Sequence, residues 1–366
     1  MVYIIFFIIV ISPYLFTKLR IVNSRYNYLS SESSVPKRYS NYYFVIVSLY
    51  MILLLGLRHD YVGTDTQNYR WTYDIFRSLT FETALKYNSD FGFTFVFQKL
   101  ASFGFDFRIV LFLQSILYIS SVTILIKNYS KNPVMSYFLF MTLGYFIFAT
   151  TMRQAIALSF TLLAYNSVKK KRLLIYLLYV SIAATFHLSA LIFLPAYWLD
   201  KFKFNKFTIS IMSAIMVVTI CFNEQIGAFI LTYSKNDYSK TNTEGYFFIL
   251  FIALMLILGI IYRKNFIIKD TNNKMIFFMI AATIILLPIS KLNPALFRLT
   301  KYYDIFLILY VPNLISSIND KGMKLTLTYG IIMIGLFYFY YSLGSYGIRM
   351  HPYVFFWNEY PLRLIP

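Results

Sequence analysis

Apolar runs of nearly membrane-spanning length recur from one end of the chain to the other. A helix that crosses the hydrocarbon needs about 20 mainly apolar residues. Runs approaching that length occupy residues 2–16, 42–57, 109–126, 133–150, 155–168, 207–222, 245–262, 275–289, 301–318 and 325–343. Only 13% of the 366 residues are charged and 59% are hydrophobic, whereas a soluble domain is about a quarter charged and half apolar. The expected fold is all-α, a polytopic integral membrane protein forming a single transmembrane helical domain over residues 1–366. The first run begins at Val2 with no basic stretch before it and no small-residue cleavage site, so it reads as a membrane helix rather than a cleaved signal.

The formal net charge of +19 does not point to nucleic acid. Lys and Arg fall in short loops between apolar runs, as they do on the cytoplasmic side of inner-membrane proteins. No soluble basic domain is left to hold a strand. Cys221 is the single cysteine, which excludes an internal disulfide and any multi-cysteine metal site. No His, Cys or carboxylate set has metal-ligand spacing. Glycine-rich phosphate loops and GxSxG are also missing, so no metal and no cofactor is expected.

Charge sets the expected topology. The basic loop 18–40 belongs in the cytoplasm, which puts the long polar stretch 58–107 outside. Within that stretch Thr64 and Gln67 fit a capping box that starts a short helix running to about Leu79, with Tyr69, Tyr73 and Phe76 on one face. A second helix follows Ser89-Asp90. Both are short and aromatic and are expected to lie in the interface.

Residues 173–199 read in two ways. One helix of that length is about 40 Å long and requires a strong tilt in a core of about 30 Å. The alternative is a hairpin, 173–186 and 188–199, broken at His187. The hairpin puts the basic loops 200–206 and 263–274 inside and the less basic loop 223–244 outside; a single helix inverts all three. The hairpin is therefore preferred, which makes about 11–12 transmembrane helices with a broken one near residue 187. A break at that depth is tolerated where it lines a cavity.

This topology gathers Arg58, Asp60, Asp65, Arg153, His187 and Arg298 at or just beneath the outer face. Charged groups near hydrocarbon are costly and mark sites or pairs. The segment GLRHDYVGTDTQNY, residues 56–69, forms the lip of the expected cavity. Arg58, Arg153 and Arg298 either bind phosphate through the two-pronged guanidinium or snorkel to headgroups and mark helix ends. His187 is either a packed core residue or a general base. Asp60 and Asp65 either supply acid–base chemistry or do local work, Asp60 pairing with Arg58 and Asp65 opening a helix.

Taken in order, GLRHDYVGTDTQNY, DFGFTFVFQKL, MRQAIALSF, the KKKR break and IAATFHLSALIFLPAYWL resemble the EpsG-like branch of Wzy-type polysaccharide polymerases. FRLTKYYDIF and HPYVFFW continue the likeness. At Asp90 the family pattern has Glu, so Asp90 is left outside the catalytic set. The resemblance implies a multi-pass enzyme of the bacterial cytoplasmic membrane. It would join repeat units of capsule or exopolysaccharide carried on undecaprenyl diphosphate, with the lipid diphosphate as leaving group. On that reading Arg58, Arg153 and Arg298 bind diphosphate, and His187, Asp60 or Asp65 activates the acceptor. Gln154, Tyr69, Tyr302 and Tyr303 contact glycan. Membrane lipids, a flippase and a chain-length regulator are the implied partners. The alternatives are a ligase of the related superfamily and a lipid-linked glycan flippase or transporter.

Overall fold

Helices carry the chain in the computed structural model, which describes residues 2–21, 41–63, 65–232, 246–290, 294–343 and 349–359. Among these residues the β pairing is a single bridge, Arg58 with Phe355. The chain forms two compact units, 1–159 with 332–366, and 160–331.

The first unit begins with α1 (Val2–Ile21) and α2 (Asn41–Gly56). Three short helices follow: α3 (Thr66–Phe76), α4 (Phe81–Tyr87) and α5 (Phe91–Ser102). Next come α6 (Phe107–Tyr129), α7 (Pro133–Thr142), α8 (Tyr145–Phe148) and the start of α9 (Met152–Lys169). Helix α2 packs along α6. Between helices that both face lipid there is no hydrophobic gain, so small residues and hydrogen bonds supply the cohesion, each bond contributing about 0.6 kcal/mol. Ser48 shares a hydrogen with Thr123 at 2.7 Å, and Tyr137 donates to the same Thr123 hydroxyl at 3.1 Å. Tyr50 ties α2 to α1 through the Val2 carbonyl, 2.6 Å away. Outside these spans, Tyr73 and Phe76 are buried on one face of α3, and Tyr73 meets Phe97 of α5 and Phe107 of α6.

The second unit holds the rest of α9 and α10 (Leu173–Phe186), a 3-10 turn at Leu188–Phe193 and α11 (Ala196–Leu199). Then follow α12 (Lys206–Cys221), α13 (Asn223–Thr232) and α14 (Tyr246–Ile261). A π turn at Lys264–Ile268 leads to α15 (Thr271–Ser290), which packs against α12 and α14. Next are α16 (Pro294–Phe297), a 3-10 turn at Arg298–Thr300, α17 (Lys301–Asp304) and α18 (Leu307–Ser317). Helix α19 (Lys321–Leu343) begins here and ends in the first unit. Amides do the joining: the buried Asn313 donates to the buried Asn273 at 2.9 Å, and Tyr165 donates to the half-buried Asn272 at 2.6 Å.

Among the described residues three helices are long and apolar enough to cross a membrane: Phe107–Tyr129, Thr271–Ile289 and Lys321–Leu343. Counted as one span, the pair Lys206–Cys221 and Asn223–Phe229, bent by 79°, makes a fourth, and six shorter apolar helices accompany them among the described residues. Helix α19 shows what such a span exposes, with Met333, Phe337 and Tyr340 all outward. An all-α polytopic membrane protein accounts for both the spans and this apolar surface.

The break at His187 is observed. Helix α10 stops where His187 turns extended, and Tyr176 near its start donates to the Phe193 carbonyl, closing the hairpin. Other expectations need correction. The run 133–150 is two helices, because Gly144 sits at φ +81°, in left-handed backbone that favours glycine. Buried donors serve carbonyls on the far side of that break: Tyr118 reaches Tyr145 and Gln114 reaches Ala149, each at 2.8 Å. The run 301–318 is likewise divided, and loop 223–244 contains α13. The polar stretch 58–107 holds three helices rather than two. Thr64 lies outside the described residues, and α3 opens at Thr66 with Asp65 at the N-cap making no side-chain capping bond. Thr66 instead donates to the Val62 carbonyl at 2.9 Å.

Candidate functional site

In the first unit the loop after α2 is held from two sides. Gly63, at φ +100°, packs on Thr150 so tightly that a Cβ would strike the threonine methyl. This close approach fastens the loop to the turn from which α9 starts. From the other side the C-terminal segment lies across the loop. The His59 amide donates to the Val354 carbonyl at 2.9 Å, and the Phe356 amide to the Leu57 carbonyl at 3.0 Å.

Arg58 is fully buried beneath this pairing. Its Nη1 donates to the Leu55 carbonyl at the end of α2, where a cation complements the helix dipole. Its Nε and Nη2 have no hydrogen-bond partner among the described residues. A buried donor left unsatisfied costs about 1–3 kcal/mol, and more when charged. Burial pushes the Arg58 guanidinium down, to about 10, against the upward pull of Tyr353 and Asp60. Asp60 itself lies 3.7 Å from Arg70, which also binds Asp74 at 2.9 Å.

Arg153, in the first turn of α9, is the centre of a second group. Its Nη1 donates to Asp90 at 2.8 Å and to Asn88 at 3.3 Å. The Tyr69 side chain is a further hydrogen-bond partner, and the guanidinium lies 5.9 Å from the Phe93 ring centre. Its side chain stays 28% exposed, so a ligand can reach it. Gln154 beside it is buried. Arg153, Tyr69, Asp90 and Asn88 therefore share one place, and Asp65 is the N-cap of the helix that carries Tyr69.

In the second unit His187 is half-buried at the hairpin break. The turn after α16 grips this hairpin. Tyr302 and Ser189 share a hydrogen at 3.0 Å, and Tyr303 donates to the Ile192 carbonyl at 2.7 Å while its ring packs on Phe193. Both tyrosines are buried. Arg298 is half-buried at the start of the same turn. Asp304 is fully buried and accepts from Lys301 at 3.0 Å and from Thr300 at 2.9 Å. The Lys301 ammonium also lies 4.8 Å from the ring centres of Phe248 and Phe297. Among the described residues no three His, Cys, Asp or Glu side chains are grouped to hold a metal ion.

A model of the EpsG family matches residues 41–355, which include all three groups of residues and most of the C-terminal segment. The chain belongs to the EpsG family. No curated protein and no solved structure matches it significantly. Family membership gives this EpsG protein a polysaccharide polymerase-like role in polysaccharide biosynthesis, as a membrane protein.

Three residues acquire a role only in the structure. Asn88 and Asp90 orient Arg153; Asp90 stands out in the sequence as a carboxylate at a helix start, outside the catalytic set, and Asn88 has no such mark. Tyr353 lies in the aromatic HPYVFFW stretch, which does not tell that it sits beside Arg58. The buried Asp304–Lys301 pair also yields a stability prediction. Asp304→Ala leaves the ammonium among aromatic rings without its carboxylate, and removing one partner of a buried ion pair costs about 3–5 kcal/mol. Thermal unfolding in detergent is expected at a clearly lower temperature; an unchanged midpoint would show that the pair contributes little.

Proposed function

We propose that this protein polymerises oligosaccharide repeat units carried on undecaprenyl diphosphate, at the outer face of the bacterial cytoplasmic membrane. The observation that carries the reading is Arg153: a part-exposed guanidinium, oriented by a carboxylate, an amide and a phenol, at the start of a helix in a membrane protein. Such a group is suited to diphosphate, whose oxygens it can take in pairs. It also gains strength as charge builds on the departing diphosphate, the kind of interaction that lowers a barrier. The growing glycan leaves its lipid diphosphate and forms a glycosidic bond to a hydroxyl of the incoming unit, whose proton passes to a base.

We assign that base to His187. Asp60 is already paired with Arg70, and Asp65 is placed as a helix-start residue. Arg58 is the proposed further phosphate ligand of the first unit, and Arg298 that of the second. Tyr69, half-buried beside Arg153, is the proposed glycan contact. Gln154, Tyr302 and Tyr303 are enclosed, and their proposed part is to hold Arg153 and the His187 hairpin in place. A flippase supplying the lipid-linked units and a chain-length regulator are the proposed partners.

Purified protein in lipid nanodiscs, given a synthetic lipid-linked repeat unit, is expected to produce a ladder of lengthening glycans with release of lipid diphosphate. Movement of the intact substrate across the bilayer without any new glycosidic bond would replace this reading with transport. The sidedness has its own test. A reporter inserted at residues 200–206 is expected to be cytoplasmic, and an external signal would reverse the proposed orientation of the hairpin.

A further inference from the structure

Residues 349–359 cross the end of α2 and roof over Arg58. The segment is anchored on all sides. Tyr3 donates to the Met350 carbonyl at 2.8 Å, Gly63 donates to the Arg349 carbonyl at 3.1 Å, and the Tyr353 hydroxyl donates to the Leu54 carbonyl. Phe355 lies directly opposite Arg58 in the bridge. On the outer side Phe356 lies under the Arg108 guanidinium, 4.4 Å from it, and Trp357 stacks on Phe355 with ring centres 4.6 Å apart.

The roof closes over a cation that is only partly satisfied. Nη1 is used, but Nε and Nη2 are not. Those two nitrogens share one edge of the guanidinium, and their N–H bonds run parallel. That edge is the fork that matches two oxygens of one phosphate or carboxylate group. A single carbonyl or hydroxyl oxygen cannot meet both parallel N–H bonds in line, as two oxygens can. With no ligand the closed roof strands both donors away from water, which disfavours the closed state. An oxyanion seated on the fork removes that penalty. Arg58 has no accessible surface, so a ligand reaches it only when a covering segment moves, and residues 349–359 are the segment that faces it in the bridge.

We infer that residues 349–359 are a strap that opens to admit a phosphate group to the Nε–Nη2 edge of Arg58 and then closes over it. This rests on the reading that Arg58 binds the phosphate end of the substrate, and it adds how access is controlled. The phosphate comes either from a lipid-borne diphosphate or from a free anion.

The test locks the strap. In a Cys221→Ser background, His59→Cys with Val354→Cys places two thiols across from one another beside the bridge, away from Arg58 itself. Binding of farnesyl diphosphate and of inorganic diphosphate is measured before oxidation, after oxidation and after reduction. Oxidation is expected to weaken farnesyl diphosphate at least tenfold, and reduction to restore it. Equal binding in the oxidised and reduced states overturns the strap. Farnesyl diphosphate binding at least tenfold tighter than inorganic diphosphate identifies a lipid-borne phosphate; comparable affinities identify a free anion, and the strap holds in either case if oxidation blocks binding. Arg58→Ala separates the two layers. If it leaves binding intact, the phosphate reading fails. If it weakens binding while the oxidised double mutant binds normally, only the strap fails. Tyr353→Phe provides a second route that needs no disulfide. Losing the anchor to Leu54 is expected to speed association of farnesyl diphosphate at least threefold, and an unchanged association rate counts against the strap.

Discussion

Arg153→Ala is expected to stop polymer growth while the protein still reaches the membrane, so that single lipid-linked repeats accumulate. The rate is expected to fall about 100- to 1,000-fold, the usual loss when one preorganised donor to a developing negative charge is removed. Arg153 is held in advance of any substrate by Asp90 at 2.8 Å and Asn88 at 3.3 Å. Its position is therefore set by the fold and does not depend on the ligand. Alanine removes the charge and the fork together. Arg153→Lys keeps the charge, and Lys binds phosphate as a point charge rather than in a bidentate way, so it is expected to retain only part of the activity. Asp90→Asn tests the positioning. It should raise KM more than it lowers kcat, because the guanidinium remains but is less firmly aimed. Wild-type chain length from Arg153→Ala would remove Arg153 from the mechanism.

His187→Ala is the second large effect. A positioned general base contributes about 100- to 10,000-fold, and a loss within that range is expected with the hairpin intact. The backbone explains why the fold should survive. The helix-ending bond runs from the His187 amide to Ala183, and the next turn uses the His187 carbonyl, both independent of the side chain. The hairpin is further pinned by Tyr176, Tyr302 and Tyr303. Added imidazole is expected to restore part of the rate to His187→Ala, which a merely structural histidine would not allow. Normal polymer from the alanine variant would move the base to Asp60 or Asp65.

Much of the architecture is legible in the order of the residues. The spans announce themselves because lipid admits only long apolar helices whose backbone is satisfied internally. His187 interrupts a run too long for one crossing, and the chain breaks there. Thr64 and Gln67 fit a capping box, but Thr64 lies outside the described residues, and α3 opens at Thr66 with Asp65 at its N-cap. The breaks within 133–150 and 301–318 are hidden in the sequence. Apolar composition reports burial well, but a fully buried run can change direction wherever neighbouring side chains satisfy its carbonyls, as Tyr118 and Gln114 do around Gly144.

By itself the sequence determined the all-helical membrane fold, the family and the chemical identity of the candidate residues, since these depend on composition, local order and short motifs. Only the tertiary structure decided which of those residues have partners. Arg153 meets a carboxylate 63 residues away, and the segment that roofs Arg58 returns from the far end of the chain, 299 residues beyond the carbonyl that Tyr353 reaches. Pairings over such separations leave no local signal, because the energy that selects them is packing and desolvation gained only when the whole unit closes. Arg58 and Arg153 therefore look alike in sequence, two arginines beside apolar runs, yet one is part-exposed and aimed while the other is sealed beneath the C-terminal segment.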